Sequence, residues 1–216
     1  MRTYTMKLKS AVNAMIIAVG LITSSSTLAG TFLWTGSVND WSTAGAITTT
    51  DGDITFDYIS NGGSFDAANT MVTLQELELN GQDYYDVGFS YSGLAGGTYA
   101  GGGDIRYSMT AHQILMTNVL FDTVKVGSGT GLTATKDLFD LSAGSPFLTL
   151  TSTDGSNTGY QYFDARNYIE VLDTFGIAAN AAYQDSHNNF TLVPEPVSLS
   201  LFGIGLAALR FTRRAA

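Results

Sequence analysis

The sequence predicts an all-β fold: an antiparallel β-sandwich, jelly-roll-like, flanked by an N-terminal signal helix and a short C-terminal hydrophobic helix. Apolar and polar residues alternate over residues 85–91 and again over residues 105–110, which is the pattern of half-buried strands. Glycine-rich turns separate such segments, and no clear helical run occurs between residues 30 and 192. Strands at this spacing are typical of a two-sheet sandwich.

The other predicted strands are rich in the β-branched and aromatic residues that suit a pleated sheet. They cover residues 31–35, 53–60, 72–79, 115–126, 147–152, 160–164, 168–174 and 188–193. In the segment 72–79 the apolar phase slips between Leu74 and Leu77, which predicts a β-bulge. Short helices are predicted at residues 111–116 and 177–184.

Composition excludes several classes of protein. The chain has 216 residues and no cysteine, so a disulfide framework, a thiolate zinc site and a cysteine nucleophile are all excluded. Between residues 30 and 192 there are 18 acidic residues and four basic ones, Arg106, Lys125, Lys136 and Arg166, a net charge of 4 − 18 = −14. Because nucleic-acid binding depends on neutralising phosphates, we expect no nucleic acid as partner.

The first 29 residues have the features of a secretory signal peptide. A basic start at residues 2–9 precedes a mainly apolar stretch at residues 11–22. The triplet 27–29 fits the small-x-small rule, so signal peptidase is expected to cleave between Ala29 and Gly30. We therefore expect export through the inner membrane and an extracellular acidic domain at residues 30–192.

The tail at residues 193–216 combines three features. The tripeptide Pro194, Glu195 and Pro196 interrupts regular structure, because proline lacks the backbone donor. The following 13 uncharged residues, 197–209, rise about 20 Å as a helix, short of a bilayer core of about 30 Å. A basic cluster, Arg210, Arg213 and Arg214, follows and is expected to stay in the cytoplasm.

With the N-terminal signal, the tail at residues 194–216 resembles the PEP-CTERM sorting signal of biofilm-forming bacteria, also catalogued as the ice-binding protein C-terminal domain. The resemblance implies that an exosortase recognises Pro194, Glu195 and Pro196 and removes the tail. The protein would then be anchored transiently in the inner membrane before it reaches the cell surface or the extracellular matrix. The second name of the tail does not imply an ice-binding activity, because the threonines of the domain lack the regular flat array that such a surface requires.

Calcium is the one cofactor for which the sequence offers candidate ligands. Asp51, Asp53 and Asp57 place carboxylates at a turn and the start of a strand, and residues 154–157 form a second oxygen-rich loop. Calcium takes six to eight oxygen ligands, and neither loop matches the EF-hand template. Aspartate is also frequent in turns because its side chain hydrogen-bonds the nearby backbone.

No arrangement of residues in the sequence predicts catalysis. The glycine-rich stretch 127–131 lacks the lysine of a phosphate-binding loop. His112 and His187 are the only histidines, and either could join a serine and an aspartate only through the fold. Glu76 and Glu78 lie on one strand face, where a solvated pair of carboxylates is the simpler interpretation. We expect a protein that is not an enzyme.

Three functions follow, in order of preference. The first is a non-catalytic surface or matrix protein, sorted by an exosortase into an extracellular polysaccharide layer such as a biofilm. The alternative is a carbohydrate-binding module on the β-sandwich, with calcium as a candidate stabilising ion and exposed aromatic rings as the binding groups. Tyr85, Tyr91 and Tyr107, however, are expected in the core. A secreted hydrolase is a distant third.

Overall fold

The computed structural model describes residues 29–79, 82–91, 102–127, 130–141, 144–176 and 181–194, and strands dominate these ranges. In chain order the elements are β1 (Ala29–Ser37), α1 (Val38–Ala44), β2 (Ile47–Thr48), β3 (Ile54–Gly63), β4 (Thr70–Leu79), β5 (Gln82–Tyr91), β6 (Gly103–Ala111), β7 (Ile114–Gly127), β8 (Thr133–Phe139), β9 (Leu148–Thr153), β10 (Tyr160–Arg166), β11 (Tyr168–Gly176) and β12 (Ala181–Pro194).

These strands form two six-stranded sheets in which all neighbouring strands are antiparallel. Sheet A has the order β1-β4-β5-β12-β7-β10, and sheet B has the order β2-β3-β6-β11-β8-β9. Within them, the order β5-β12-β7-β10 in one sheet and β6-β11-β8-β9 in the other is the connectivity of a jelly roll. The predicted fold class, an antiparallel β-sandwich of jelly-roll type, is confirmed.

The two predicted terminal helices lie almost entirely outside the described residues. At the boundaries, Ala29 begins β1 and Pro194 ends β12. Within the described ranges, no helix has both the length and the apolar character needed to cross a lipid bilayer.

The core consists of the inward-facing side chains of both sheets together with α1. Tyr85 and Tyr107 are buried there, as predicted. The side chain of Tyr91 lies outside the described part of the molecule. Helix α1 adds Trp41, whose ring centroid lies 5.7 Å from that of Tyr107.

Helix α1 is not predicted from the sequence, although its N-terminus carries a local signal. Ser37 caps the helix by accepting a hydrogen bond from the backbone N–H of Asp40, and the Asp40 carboxylate accepts one from the backbone N–H of Ser37. This reciprocal arrangement is a capping box with aspartate in the third position. Val38 and Trp41, three residues apart, form the buried face of the helix.

Both helices predicted inside the domain are wrong where the structure describes them. In the segment 111–116, Ala111 ends β6 and Ile114 begins β7, because the apolar residues there pair with the end of β12. In the segment 177–184, residues 177–180 lie outside the described ranges. The other residues of the segment, 181–184, belong to β12. Residues 181–183 pair with β7, and residue 184 lies at a register shift in the same strand.

The bulge predicted in β4 lies instead in the neighbouring strand. The register of β4 against β5 is unbroken, whereas the pairing of β1 with β4 shifts between Phe32 and Trp34. The slip in apolar phase has another cause. Glu76 follows Val72 and Leu74 on the inward side of β4, and its carboxylate accepts a long hydrogen bond of 3.5 Å from the Tyr85 hydroxyl.

A fully buried ion pair lies between the sheets. Lys136 of β8 and Asp173 of β11 are opposite each other in sheet B, and their charged atoms are 2.5 Å apart with both side chains inaccessible to solvent. The Asn188 amide of sheet A donates to the other Asp173 oxygen at 3.1 Å and to the carbonyl of Val87 at 2.9 Å. The lysine Nζ also lies 4.9 Å from the centroid of the Phe121 ring, which provides a cation–π contact.

Burial opposes the charge on each partner. Burial lowers the pKa of Lys136, and the charge of Asp173 opposes that shift. Burial likewise raises the pKa of Asp173. The charge of Lys136 and the hydrogen bonds from Lys136 and Asn188 oppose that shift. The pair therefore depends on its own contacts, because solvent does not reach it.

Removing one partner should destabilise the domain strongly. We expect Lys136→Met to lower the free energy of unfolding by about 3–5 kcal/mol at pH 7, because Asp173 then stays buried without a counterion. The loss should shrink as the pH falls, since a protonated Asp173 needs no counterion. Urea denaturation at pH 7 and pH 4.5 measures both effects.

Arg106→Met, which breaks the partly exposed pair with Glu170, is the matched control and should lower the free energy of unfolding by at most about 1 kcal/mol. Equal losses in the two variants would contradict the prediction.

Candidate functional site

The outer face of sheet A carries a row of polar and aromatic side chains across four strands. Strand register places Tyr84 of β5 opposite Thr191 of β12, and Thr191 opposite Asn118 of β7. Asn118 is in turn opposite Tyr162 of β10, at the edge of the sheet. The neighbouring row on the same face ends in Tyr160, two residues before Tyr162.

A β-bulge brings an extra side chain to this row. Met116 and Val119 of β7 both face the core, with two residues between them instead of one. The register accordingly skips Thr117, because Thr191 pairs with Asn118 and the next residue of β12 pairs with Met116. Thr117 and Asn118 therefore both face outward, which is how bulges commonly redirect side chains beside binding sites.

These side chains line a groove of about 300 Å³. Its lining consists of Tyr84, Thr117, Asn118, Tyr160, Tyr162, Thr191 and Val193. The Tyr84 and Tyr160 rings lean toward each other from β5 and β10, which are separated by two strands, and their centroids are 6.3 Å apart at an angle of 44°. Tyr162 is 78% exposed, so most of its side chain is accessible to a ligand.

The bottom of the groove is polar and almost closed to solvent. Asn118 is 6% exposed and Thr191 is 8% exposed. The Asn118 Oδ1 atom is buried and has no hydrogen-bond partner among the described residues. A buried acceptor without a donor costs about 1–3 kcal/mol. A ligand hydroxyl that donates to Oδ1 would recover part of that cost.

The environment of Tyr160 keeps its hydroxyl neutral. Burial raises the pKa of Tyr160, and the nearby Tyr84 and Tyr162 hydroxyls raise it further. A neutral phenol can both donate and accept a hydrogen bond. The groove thus combines flat apolar ring faces with uncharged hydrogen-bonding groups.

A histidine–aspartate pair lies on the same face of sheet A. The His187 Nδ1 atom of β12 is 3.0 Å from the Asp86 Oδ2 atom of β5, and the other Asp86 oxygen accepts the backbone N–H of Asn188 at 3.2 Å. Gly88 makes room for the imidazole, because a Cβ atom there would lie 3.1 Å from Nδ1. Asp86 is two residues from Tyr84, so the pair borders the groove.

Of the two histidines considered from the sequence, His187 lies on β12 of sheet A, whereas His112 lies in the turn between β6 and β7. The His112 Nε2 atom is 2.9 Å from the Thr55 hydroxyl, and its backbone N–H donates to the Asp53 carbonyl. Asp86 is the only side chain in the described part of the chain that hydrogen-bonds to His187.

The three candidate calcium ligands have separate environments. The Asp51 Oδ1 atom accepts hydrogen bonds from the Thr49 hydroxyl at 2.6 Å and from the Asp53 backbone at 3.0 Å, which closes the turn. The Thr49 hydrogen bond, the largest contribution, lowers the pKa of Asp51. Asp57 is exposed on β3. No group of three His, Cys, Asp or Glu side chains with metal-binding geometry occurs in the described ranges. Calcium binding stays a prediction.

The predicted processing sites lie at the ends of the sandwich. Ala29 and Gly30 begin β1, where they pair with Glu78 and Leu77. Pro194 is the last residue of β12 and directly follows Val193, which lines the groove. The rest of the sorting motif, Glu195 and Pro196, and the basic cluster Arg210, Arg213 and Arg214 lie outside the described residues.

The sequence predicts exposed aromatic residues in general but does not reveal this groove. The residues 84, 118, 160 and 191 are far apart in the chain and come together only through the order β5-β12-β7-β10. The one local signal is the pair of tyrosines two residues apart in the predicted strand 160–164, which places both on one face.

Known proteins resemble this chain only in fold, and only over part of its length. The chain matches no protein-family model and no curated protein sequence. A structural match is TmCBM61 in complex with β-1,4-galactotriose, with a TM-score of 0.26, 13% identity, and coverage of 51% of this chain and 71% of that one. Another is a CBM4 structure, with a TM-score of 0.20, 9% identity, and coverage of 57% and 78%. Both are carbohydrate-binding modules with a β-sandwich. At these scores the likeness carries no information about a site.

The His187–Asp86 contact should make stability depend on pH. The Asp86 hydrogen bond, the largest contribution, raises the pKa of His187, and the charges of Asp86, Asp185 and Asp122 add to it while burial opposes it. A raised pKa means that the stabilisation is complete below the unfolded value of about 6.5 and is lost as the pH rises through the folded value.

We therefore expect His187→Gln to lower the free energy of unfolding more at pH 5.5 than at pH 8.5. The difference should not exceed about 1 kcal/mol, because the imidazole is 43% exposed and its charge is screened. Urea denaturation of the protein and the variant at both pH values tests the expectation. A loss of stability that is the same at both values would contradict it.

Proposed function

We propose that this β-sandwich is a carbohydrate-binding module of an exported protein, and that the groove on the outer face of sheet A is its binding site. The observation that carries the proposal is the row Tyr84–Thr191–Asn118–Tyr162, in which ring faces flank a buried acceptor that lacks a donor. Sugars present apolar C–H faces and hydroxyl edges, and the groove offers a partner for each.

The aromatic residues supply contact area at a low entropic cost. A tyrosine has few rotatable bonds, and its ring face carries the negative part of the quadrupole, which attracts the C–H edge of a pyranose. Tyr160 is 41% exposed and Tyr162 is 78% exposed, so both rings retain area to bury against a ligand. Burial of apolar area is favourable at roughly 25 cal/mol per Å².

The polar residues supply direction. The Asn118 acceptor and the Thr191 hydroxyl lie at the bottom of the groove, where few water molecules compete with a ligand hydroxyl. Sites for small ligands typically combine apolar walls with a small number of such groups. We propose binding without catalysis, because these groups are uncharged hydrogen-bonding partners.

The route of the protein is a separate proposal that rests on the sequence. A signal peptide cleaved after Ala29 and an exosortase acting at Pro194, Glu195 and Pro196 would deliver the module to the cell surface or the extracellular matrix. A sugar-binding groove suits that destination, since the matrix of a biofilm is rich in polysaccharide. The two proposals support each other but can fail independently.

Binding by the groove is tested with tyrosine and asparagine variants on a glycan array. We expect Tyr162→Ala to weaken binding to the best glycan about tenfold, which corresponds to about 1.4 kcal/mol, without loss of stability. Asn118→Ala should also weaken binding while leaving the thermal midpoint unchanged or higher, because it removes a buried acceptor that lacks a partner.

Tyr168→Ala is the matched control, because Tyr168 lies on the outer face of sheet B. It should bind as the unmodified protein does. Binding that is indifferent to Tyr162 and Asn118, or that depends equally on Tyr168, would sink the proposed site. No glycan binding by the unmodified protein would sink the proposed function.

The sorting proposal makes its own prediction. In a host with an exosortase, mass spectrometry of the released protein should find Gly30 at the N-terminus and no peptide from residues 197–209. Replacing Glu195 by Ala should retain the protein in the membrane fraction. Released protein that still contains residues 197–209 would contradict cleavage.

A further inference from the structure

We propose that the groove selects uncharged glycans and rejects glycans that carry uronate groups. The inference rests on the proposed function and adds the charge class of the ligand to it. The observation behind it is the distribution of charge around the groove, because uncharged tyrosines alone do not discriminate between neutral and acidic glycans.

Carboxylates occupy the same face of sheet A, beginning beside the groove at Asp86 and continuing away from it along β7 and β12. Asp86 follows Tyr84 by two residues on β5, a separation of about 7 Å along the strand. Asp122 of β7 is opposite His187 of β12, and Asp185 precedes that histidine by two residues. Ser186 is buried in the core, so Asp185 and His187 on either side of it both face outward. Three carboxylates thus surround one imidazole.

A protonated His187 cannot neutralise this group. One imidazolium against Asp86, Asp122 and Asp185 leaves a net charge of −2 on the sheet face that carries the groove, and a neutral imidazole leaves −3. At physiological salt the Debye length is about 8 Å, so Asp86, about 7 Å from Tyr84 along β5, lies within it. At 20 mM salt the Debye length is about 20 Å, so the more distant Asp122 and Asp185 also act on a ligand in the groove.

The cations whose side chains the structure describes are committed to other carboxylates. Arg106 pairs with Glu170 on sheet B, and Lys136 pairs with Asp173 in the core. Arg166 pairs with Asp140 and stacks over the Phe147 ring at 3.9 Å. Among the described side chains, therefore, no lysine or arginine is available to pair with a ligand carboxylate in the groove.

The whole domain strengthens the effect. Between residues 30 and 192 the net charge is −14, which produces a negative potential over the surface. A polyanionic chain approaching the groove meets that potential along its length, whereas a neutral chain does not. The tyrosine and asparagine contacts are available to both, so charge alone should separate them.

The test uses one polymer in two charge states. Fully methyl-esterified polygalacturonate is uncharged, and the same polymer after de-esterification carries one carboxylate per sugar. Both are measured against the full chain by isothermal titration or biolayer interferometry, beside neutral galactan, mannan and β-glucan and acidic alginate. At 20 mM salt we expect the affinity for the esterified polymer to exceed the affinity for its de-esterified form at least about tenfold, and this ratio to be smaller at 0.5 M salt. Any neutral polymer that binds should likewise bind more tightly than alginate.

Charge variants test the cause. The double variant Asp122→Asn with Asp185→Asn should reduce the preference for uncharged polymer about threefold or more, because it removes two charges from the face of the groove. Asp57→Asn with Asp104→Asn makes the same change in net charge on the outer face of sheet B and should have a smaller effect.

The outcomes separate the two proposals. Binding of acidic polymer as tight as, or tighter than, its neutral form overturns the charge selectivity, and if Tyr162→Ala still weakens that binding, the glycan-binding function survives. Equal effects of the two double variants overturn the assignment to Asp122 and Asp185. Absence of binding to any polymer of either charge overturns the proposed function, and the selectivity falls with it.

Discussion

The Lys136–Asp173 ion pair is the constraint on which the sandwich is organised. It fixes β8 against β11 inside sheet B, and the Asn188 amide extends it to β12 of sheet A. A buried pair of this kind adds little net stability compared with a well-packed apolar pair, but a misaligned one is costly. The two sheets are therefore held to the one alignment that brings the three side chains together.

That alignment continues to the opposite side of sheet A. The backbone of Asn188 donates to Asp86, and Asp86 holds the imidazole of His187 on the outer face. The strands β5 and β12, which contribute Tyr84 and Thr191 to the groove, are thus connected by side-chain contacts as well as by their ladder of backbone hydrogen bonds. Residues 86–88 and 187–188 therefore take part both in the polar contacts of the core and in the contacts that hold together the strands of the groove.

Some of these elements follow from the sequence and others do not. Strands with apolar inward residues, such as β5 and β6, follow directly from alternation. Strand β8 alternates equally well in the structure, but Lys136 occupies a core position between Ala134 and Leu138, so a hydropathy pattern does not reveal it. The groove is harder still to predict, because the outward orientation of both Thr117 and Asn118 depends on a bulge that a local pattern does not encode.

The place of β12 in sheet A has a consequence for how the chain reaches its native state. The last strand in sequence, β12, lies between β5 and β7 and pairs with both along most of its length. When the chain folds from its N-terminal end, the centre of sheet A stays incomplete until β12, which ends at residue 194, can pair with β5 and β7. Contacts between β5 and β12 span about a hundred residues, so closure is a late, long-range step. Sheet A is therefore completed only when the last strand of the sequence enters between two strands that precede it, so β5 and β7 stay without their shared neighbour until that step.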